Sequence, residues 1–292
     1  MNQFSISQLE QFSGIKAHTI RIWEQRYNAL QPSRSEGNTR HYDNDQLRRL
    51  LNIVSLSNQD YKVSELCAMP DKKLFKLVGQ SKNETEYRTD EYFVSQLIAT
   101  AISYDEVYFD KIFSRSLIRY GMKDTYLKVI YPVLLRTGIM WTRDDMPPAN
   151  EHFISNLLRQ KLFTAIDSLP PPKSGADSWL LFLPENEFHE VGLLFSHYLL
   201  RLFGKKVIYL GSNIALKSLI NVGKDISFQH ILFFLVHKNS NQEIQEYLDE
   251  SGKTFPGKKI YVAGEQKLIR QVKKSNNIRF LCSVDDLEQQ LL

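Results

Sequence analysis

The sequence predicts a multi-domain α and α/β protein, in which two helical regions precede a doubly wound parallel sheet. Its 292 residues exceed what one hydrophobic core usually supports, so we expect two or three domains. Apolar residues recur at helical spacing through residues 4–167, whereas short apolar runs alternate with helical stretches farther on. The composition, 42% hydrophobic and 24% charged, is that of an ordinary globular chain.

The N-terminal region has the pattern of a winged helix-turn-helix. A first helix is predicted to begin at a Ser5 cap and to end at Gly14, and a second covers residues 18–27 after a tight turn. A basic, hairpin-like wing is predicted at 32–42, followed by helices at 43–57 and 63–69. Residues 15–42 include five basic and two acidic side chains, a balance that suits a phosphate backbone or a solvated face.

A polar linker and a helical bundle are predicted next. Helices are expected at 90–103, 106–120, 123–141 and 149–167, and their short connections favour an antiparallel four-helix bundle. We therefore predict a winged-helix domain at 1–75, a linker at 76–89, a four-helix bundle at 90–172 and an α/β domain at 173–292.

Strands and helices alternate in the C-terminal half. Apolar runs at 180–183, 207–210, 231–236 and 260–263 alternate with helices that begin near residues 190, 215, 241 and 266, and a last unit starts at 278. This alternation predicts a flavodoxin-like or Rossmann-like doubly wound sheet, which binds ligands at the carboxyl ends of its strands. No glycine-rich phosphate loop follows the first run, so a dinucleotide site lacks support.

Cysteine spacing and hydropathy further restrict the class of protein to which this sequence can belong. Cys67 and Cys282 are far apart and have no second ligand at metal-binding spacing, so they indicate neither a disulfide framework nor a zinc site. The N-terminus lacks the features of a signal peptide, and no stretch approaches 18 uninterrupted apolar residues. We therefore expect a cytoplasmic protein without a membrane segment.

Three motifs resemble the winged-helix DNA-binding domain of the mercury-resistance-regulator (MerR) family. They are Thr19-Ile-Arg-Ile-Trp-Glu-Gln-Arg-Tyr27, Pro32-Ser-Arg34 and Asn38-Thr-Arg-His-Tyr42. The resemblance covers residues 4–74 and implies that Thr19 and Arg21 lie in the major groove of a double-stranded DNA operator. It also implies that the wing holds phosphates through Arg34, Arg40 and Tyr42.

Other side chains of this region are interpreted differently. Trp23 and Tyr27 are predicted to pack in the domain core, since aromatic residues at helical spacing usually do. The metal and redox sensors of the family carry effector cysteines that this chain lacks, so its signal must differ.

The loop after the first predicted strand contains a histidine. Taken alone, such a residue is usually solvated or hydrogen-bonded. However, Glu187-Phe-His-Glu-Val-Gly192 resembles the Asp/Glu-x-His-x-x-Gly loop of cobalamin-binding domains. The resemblance implies that His189 is the lower ligand to the cobalt of adenosylcobalamin or methylcobalamin, that Glu187 orients the imidazole, and that Gly192 leaves room for the nucleotide tail. This role requires an unprotonated ring nitrogen.

A second motif lies in the predicted bundle. Trp141, followed after nine residues by Glu151-His152, resembles an element of the CarH and LitR group of light-responsive, cobalamin-dependent MerR-type repressors. The resemblance implies that these residues cover the upper cofactor face, where an indole stacks on an adenosyl group and a carboxylate binds ribose hydroxyls. Either half alone would be compatible with a buried tryptophan or an ordinary helix start.

Three positions depart from these patterns. Phe234 stands where a small hydroxyl residue normally faces the nucleotide tail, so its ring is expected to obstruct the tail slot. Ala263-Gly264 stands in place of a glycine pair, which leaves Gly264 as the cofactor-binding candidate there. Thr142 replaces the histidine that captures cobalt after photolysis in light-sensing relatives, so no stable bis-histidine state is expected.

We therefore expect a sequence-specific transcriptional regulator, a repressor, that senses cobalamin, with light as a further candidate signal. Without a long C-terminal coiled-coil helix, it is expected to form a homo-oligomer, a dimer or a tetramer, through its sensor half. One alternative is that a degenerate cobalamin-like domain binds a protein antagonist or another ligand. A cobalamin-dependent enzyme is the weakest hypothesis, because no catalytic module accompanies the binding domain.

Overall fold

The computed structural model describes residues 4–35, 37–57, 61–80, 90–141, 147–236, 241–264 and 277–292. The chain divides into two compact units, Met1–Leu157 and Leu158–Leu292. No helix of the described segments is long and apolar enough to cross a membrane.

The first unit is helical apart from a short hairpin. Its helices are α1 (Ile6–Ser13), α2 (Ala17–Tyr27), α3 (Asn44–Ser57), α4 (Val63–Cys67), α5 (Asp71–Gln80), α6 (Asp90–Ser103), α7 (Glu106–Thr125), α8 (Tyr131–Trp141) and the start of α9 (Pro148–Asp167). The hairpin strands are β1 (Ser33–Arg34) and β2 (Arg40–His41).

Local signals define the first helices, as predicted. Ser5 forms a capping box with Gln8, and α1 ends at Gly14, whose φ of 70° is the left-handed conformation that a glycine adopts without strain. Strands β1 and β2 pair antiparallel, which confirms the predicted hairpin-like wing. Phe4 and Tyr42 join their backbones through two hydrogen bonds of 2.7 and 2.9 Å and so tie the wing to the N-terminus.

The bundle helices contact the winged-helix region within this unit. Helix α6 packs along α3, and Ser55 Oγ lies 2.9 Å from Ser95 Oγ and accepts a 2.6 Å hydrogen bond from Gln96 Nε2. Gly121, where a helix break was predicted, has φ 70° and kinks α7, after which Tyr126–Ile130 form a π-helical turn. Helix α5 was not predicted, and it extends into the expected linker; residues 81–89 of that linker lie outside the described residues.

The second unit is an α/β domain. Its elements are the end of α9, β3 (Ser178–Pro184), α10 (Glu190–Leu202), β4 (Lys206–Ile214), α11 (Leu216–Asp225), β5 (His230–Leu235), α12 (Asn241–Thr254), β6 (Lys259–Gly264), β7 (Ile278–Leu281) and α13 (Val284–Gln289). Among the described residues, five strands pair in the order β4-β3-β5-β6-β7, and all pairs are parallel. The predicted doubly wound fold is confirmed. The helix expected near residue 266 lies outside the described residues.

This sheet topology positions a ligand site. The chain leaves β3 toward β4 on one side and later returns to β5 on the other, so the carboxyl end of β3 is a switch point. Residues of β3 are fully buried, and Leu180 and Phe182 belong to a core with Ile231, Phe233 and other apolar side chains. The loop between β3 and α10, which contains His189, crosses this switch point.

Candidate DNA-binding surface and histidine site

Helix α2 presents the predicted recognition residues. Ile20 is fully buried and fixes one helix face against the domain, while Arg21 is exposed and Thr19 is half-buried. The helix ends at Asn28 in a left-handed conformation whose N–H bonds back to Glu24 and Trp23. Arg21 therefore lies on a rigid helix and is accessible to a partner.

The two aromatic residues of α2 differ from the prediction. Tyr27 is 37% exposed and Trp23 is only half-buried, so neither belongs to the fully buried core. Ile20 is the one fully buried residue of α2, and the last turn of the helix, residues 25–27, is exposed.

The wing arginines occupy different environments. Arg34 is exposed, and its Nη1 donates a 2.5 Å hydrogen bond to Asn38 Oδ1 across the hairpin turn. Arg40 is half-buried, and its Nε lies 3.3 Å from Glu24 Oε2 on α2. Arg34 is the more accessible of the two for a phosphate contact.

Tyr42 does not face outward as a phosphate ligand would. It is fully buried, and its hydroxyl donates a hydrogen bond to Glu24. Burial, and then the Glu24 carboxylate, raise the pKa of the Tyr42 hydroxyl. The hydrogen bond between Tyr42 and Glu24 thus connects the wing to α2. The sequence did not predict this role for Glu24. An acidic residue on an otherwise basic helix was the available signal.

The histidine loop spans the ends of three strands. Asn186 N donates to Asn213 Oδ1 at the end of β4, with 3.0 Å between the atoms, and Glu187 Oε2 accepts a 2.9 Å hydrogen bond from Val236 N just after β5. These contacts hold the loop across the switch point of the sheet. They position His189 as the residue that immediately precedes α10.

Glu187 and His189 form a close pair. His189 Nδ1 lies 2.5 Å from Glu187 Oε1, which also accepts hydrogen bonds from the backbone N–H groups of Phe188 and His189. The Glu187 side chain is 4% exposed and the His189 side chain 46% exposed. A carboxylate at Nδ1 favours the tautomer with the proton there, so the lone pair is on Nε2.

Two glycines assigned to the cofactor have their open sides occupied. A Cβ on Gly192 would lie 2.8 Å from Cε1 of Phe234, and one on Gly264 would lie 2.7 Å from the carbonyl oxygen of Leu235. Both spaces are therefore filled by the last residues of β5. Residues 234–236, at and just after the end of β5, thus contact Glu187, Gly192 and Gly264 directly. They reach His189 through Glu187.

An ion pair beside the histidine was missed by sequence reasoning. Arg159 Nη1 on α9 lies 2.9 Å from Glu190 Oε2, and Tyr209 on β4 donates a 2.8 Å hydrogen bond to Glu190 Oε1. Burial, and then Glu190, raise the pKa of the Tyr209 hydroxyl. Glu190 opens α10 directly after His189, so this cluster fixes the first turn of the helix.

The remaining predicted cofactor residues belong to the first unit. Glu151 and His152 are neighbours on α9, with 3.3 Å between Glu151 Oε2 and His152 Nδ1, and His152 is 68% exposed at its side chain. Trp141 is the last residue of α8. Thr142 lies outside the described residues.

The N-terminal residues match a known family. Residues 4–69 match the model described as MerR HTH family regulatory protein. The first domain is a MerR-type helix-turn-helix domain. The resemblance of the N-terminal motifs to that family is thus confirmed for this domain.

Two relatives align with most of this chain. The HTH-type transcriptional repressor CarH of Myxococcus xanthus is 22% identical over 266 residues, which cover 89% of this chain and 88% of the relative. The HTH-type transcriptional repressor CarA of the same organism is 26% identical over 248 residues, which cover 84% and 81%. The similarity thus extends well beyond the MerR-type domain.

Two solved structures each match about two thirds of this chain. The monomethylamine corrinoid protein of Methanosarcina barkeri has 12% identity and a TM-score of 0.49, with 69% of this chain and 98% of that protein covered. A cobalamin-binding protein from Desulfitobacterium hafniense has 13% identity and a TM-score of 0.33, with 68% and 98% covered.

Proposed function

We propose that this MerR-type regulator is a transcriptional repressor that binds operator DNA through α2 and the wing and binds a corrinoid cofactor through His189. Its relatives CarH and CarA, both named as transcriptional repressors, support the first part. The observation that carries the second part is the short contact between His189 Nδ1 and Glu187 Oε1 at a strand switch point. Which upper ligand the corrinoid carries, and whether light is a signal, remain predictions.

The residues around His189 partly fit a cobalt corrinoid. Such a cofactor supplies a metal that needs only one protein ligand, and the described residues contain no group of three or more His, Cys, Asp or Glu that would hold a bare metal ion. His189 can offer Nε2 because Glu187 holds the proton at Nδ1. The space beside Gly192, however, is filled by the Phe234 ring, so the nucleotide-tail part of the expected site does not fit as it stands.

Glu187 also links the site to the sheet. One of its oxygens accepts from the His189 and Phe188 N–H groups and the other from Val236 N. A displacement of the His189 imidazole would therefore also move the Glu187 carboxylate and, with it, the backbone of Val236 just after β5. Within the second unit, Arg159 of α9 also pairs with Glu190, the residue that follows His189.

Binding of a corrinoid to purified protein tests the proposal. Wild-type protein is expected to retain an added aquocorrinoid through gel filtration and to shift its visible spectrum as an imidazole replaces water on cobalt. His189→Ala should lose both effects, whereas His18→Ala, at an exposed histidine of α2, should retain them. Wild-type protein that binds neither cobalamin nor a tail-free corrinoid at saturating concentration would refute the cofactor part and favour a protein antagonist as effector.

Glu151, His152 and Trp141 are proposed to contact the upper cofactor face. The proposal is supported by the pairing of Glu151 with His152 near the start of α9. Replacement of Glu151 by Gln is expected to weaken binding of adenosylcobalamin while leaving binding of aquocobalamin unchanged, because only the former carries an adenosyl ribose on its upper face. Equal losses for the two ligands would contradict this assignment.

A further inference from the structure

Phe234 occupies the space that Gly192 leaves open. A Cβ on Gly192 would lie 2.8, 3.4 and 3.5 Å from Cε1, Cδ1 and Cζ of the Phe234 ring. Contacts under 3.0 Å are not tolerated by real side chains, so the edge of the ring rests against the bare backbone of α10. The glycine at 192 is therefore used for packing inside the protein.

The backbone of β5 aims this ring. Phe233 points into the apolar core with Ile244 and Phe228, and successive strand residues point to opposite faces of a sheet. Phe234 consequently faces α10, on the side of the sheet where His189 begins that helix. Its neighbour Leu235 closes the second gap, because its carbonyl oxygen lies 2.7 Å from where a Cβ on Gly264 would be.

A ligand held by His189 must accommodate this arrangement. By the resemblance of the Glu187–Gly192 loop, a corrinoid held by His189 would need the space beside Gly192 for its displaced nucleotide. Gly192 lies one turn after His189, and the ring of Phe234 lies against it. A displaced nucleotide would therefore meet the ring, whereas a corrinoid without a nucleotide would leave it in place.

We propose that Phe234 makes this site selective for corrinoids that lack the lower nucleotide, such as cobinamide. The inference rests on the proposed binding of a corrinoid through His189. To admit a nucleotide, the ring must leave a half-buried position for water, and exposing a ring that is only half-buried weakens binding by about 3- to 10-fold. Phe234 is thus a specificity-determining residue of the site.

Equilibrium dialysis with diaquocobinamide and aquocobalamin tests the selectivity. Wild-type protein is expected to bind cobinamide about 3- to 10-fold more tightly than cobalamin. Phe234→Ser should improve cobalamin binding and bring the ratio close to one, and Phe234→Ala provides a second variant should serine disturb β5. Phe75→Ser, the same change at a half-exposed ring of the first unit, should leave the ratio at its wild-type value.

The outcomes separate this inference from the cofactor proposal. Equal affinities for the two ligands in wild-type protein, both lost in His189→Ala, would overturn the role of Phe234 and leave corrinoid binding intact. Binding of neither ligand would refute corrinoid binding, and the selectivity with it. A ratio that stays unchanged in both Phe234 variants would also overturn the inference, because the selectivity would then arise elsewhere.

Discussion

Arg136 and Glu91 form a bidentate ion pair in the first unit, with 2.7 Å between each guanidinium nitrogen and its carboxylate oxygen. Arg136 Nη1 also lies 3.4 Å from the carbonyl oxygen of Phe12, near the end of α1. The pair therefore connects the bundle helices α6 and α8 with the turn that precedes α2. Such bidentate geometry is the strongest form of an arginine–carboxylate contact.

We expect this pair to stabilise the first unit. Both side chains are about three-quarters buried, so a double-mutant cycle with Arg136→Met and Glu91→Gln should give a coupling free energy of about 1–2 kcal/mol in urea unfolding. The exposed pair Lys128–Asp124, analysed in the same way, should give a much smaller coupling free energy, because solvent screens it. Equal coupling in the two cycles would contradict a special role for Arg136.

Arg21 and Arg40 are expected to contribute to DNA binding by different routes. Arg21→Ala should weaken binding to the operator by about 1–3 kcal/mol and relax base preference, since the side chain is exposed on α2. Arg40→Ala should weaken specific and random DNA alike. Fluorescence anisotropy with operator and scrambled duplexes measures both effects, and identical losses on the two duplexes for both variants would refute these roles.

Substitutions of Arg34 and Tyr42 should have different effects on the salt dependence of DNA binding. Arg34→Ala is expected to reduce the slope of log K against log salt by about 0.9, because it removes one phosphate contact. Tyr42→Phe should leave that slope unchanged and instead lower the free energy of unfolding by about 1.5–3 kcal/mol, because the buried hydroxyl bonds to the Glu24 carboxylate. Tyr27→Phe, at a partly exposed tyrosine, serves as the control for stability. A smaller slope for Tyr42→Phe would restore the phosphate role.

Glu187→Gln should weaken corrinoid binding without unfolding the domain. The amide can no longer hold a proton at His189 Nδ1 as a carboxylate does, and loss of such an outer partner typically costs about 10- to 100-fold in affinity. Glu185→Gln, at an exposed carboxylate of the same loop, should have no effect. Equal affinities of the Glu187 variant and wild type, measured by dialysis, would show that Glu187 does not orient the ligand.

His197 should make the α/β domain less stable in acid. Burial, and then Arg201, lower the pKa of His197 to about 4 from a usual value of 6.5, so between these pH values the unfolded chain binds more protons than the folded one. Stability therefore rises with pH across this window and is lost as pH falls toward 4, by at most about 3 kcal/mol and less because the ring is partly exposed. Urea unfolding of wild type and His197→Gln between pH 4 and 7 measures this contribution to stability, which the variant should lack. If the free energy of unfolding changes equally with pH in both proteins, the prediction is contradicted.

Local patterns in the sequence were sufficient for the architecture. The Ser5 cap, the Gly14 and Gly121 breaks and the alternation of apolar runs depend on neighbours within a few residues, so helices, kink and strands appeared close to where they were predicted. His189 was likewise placed at the carboxyl end of a strand because strand, loop and helix are consecutive in the chain. Helix α5 was missed, because its short apolar pattern adjoins a polar segment.

Only the tertiary structure decided which side chains meet across distant segments. Glu24 binds Tyr42, Arg136 binds Glu91, and Phe234 fills the space beside Gly192, and in each case packing brings together residues that no local periodicity relates. The sequence predicted by resemblance that Phe234 stands at the nucleotide slot, yet whether its ring would enter that space depended on the rotamer and on the distance from β5 to α10. Those two quantities are set by the close packing of the whole domain, because a buried ring takes whatever volume its neighbours leave.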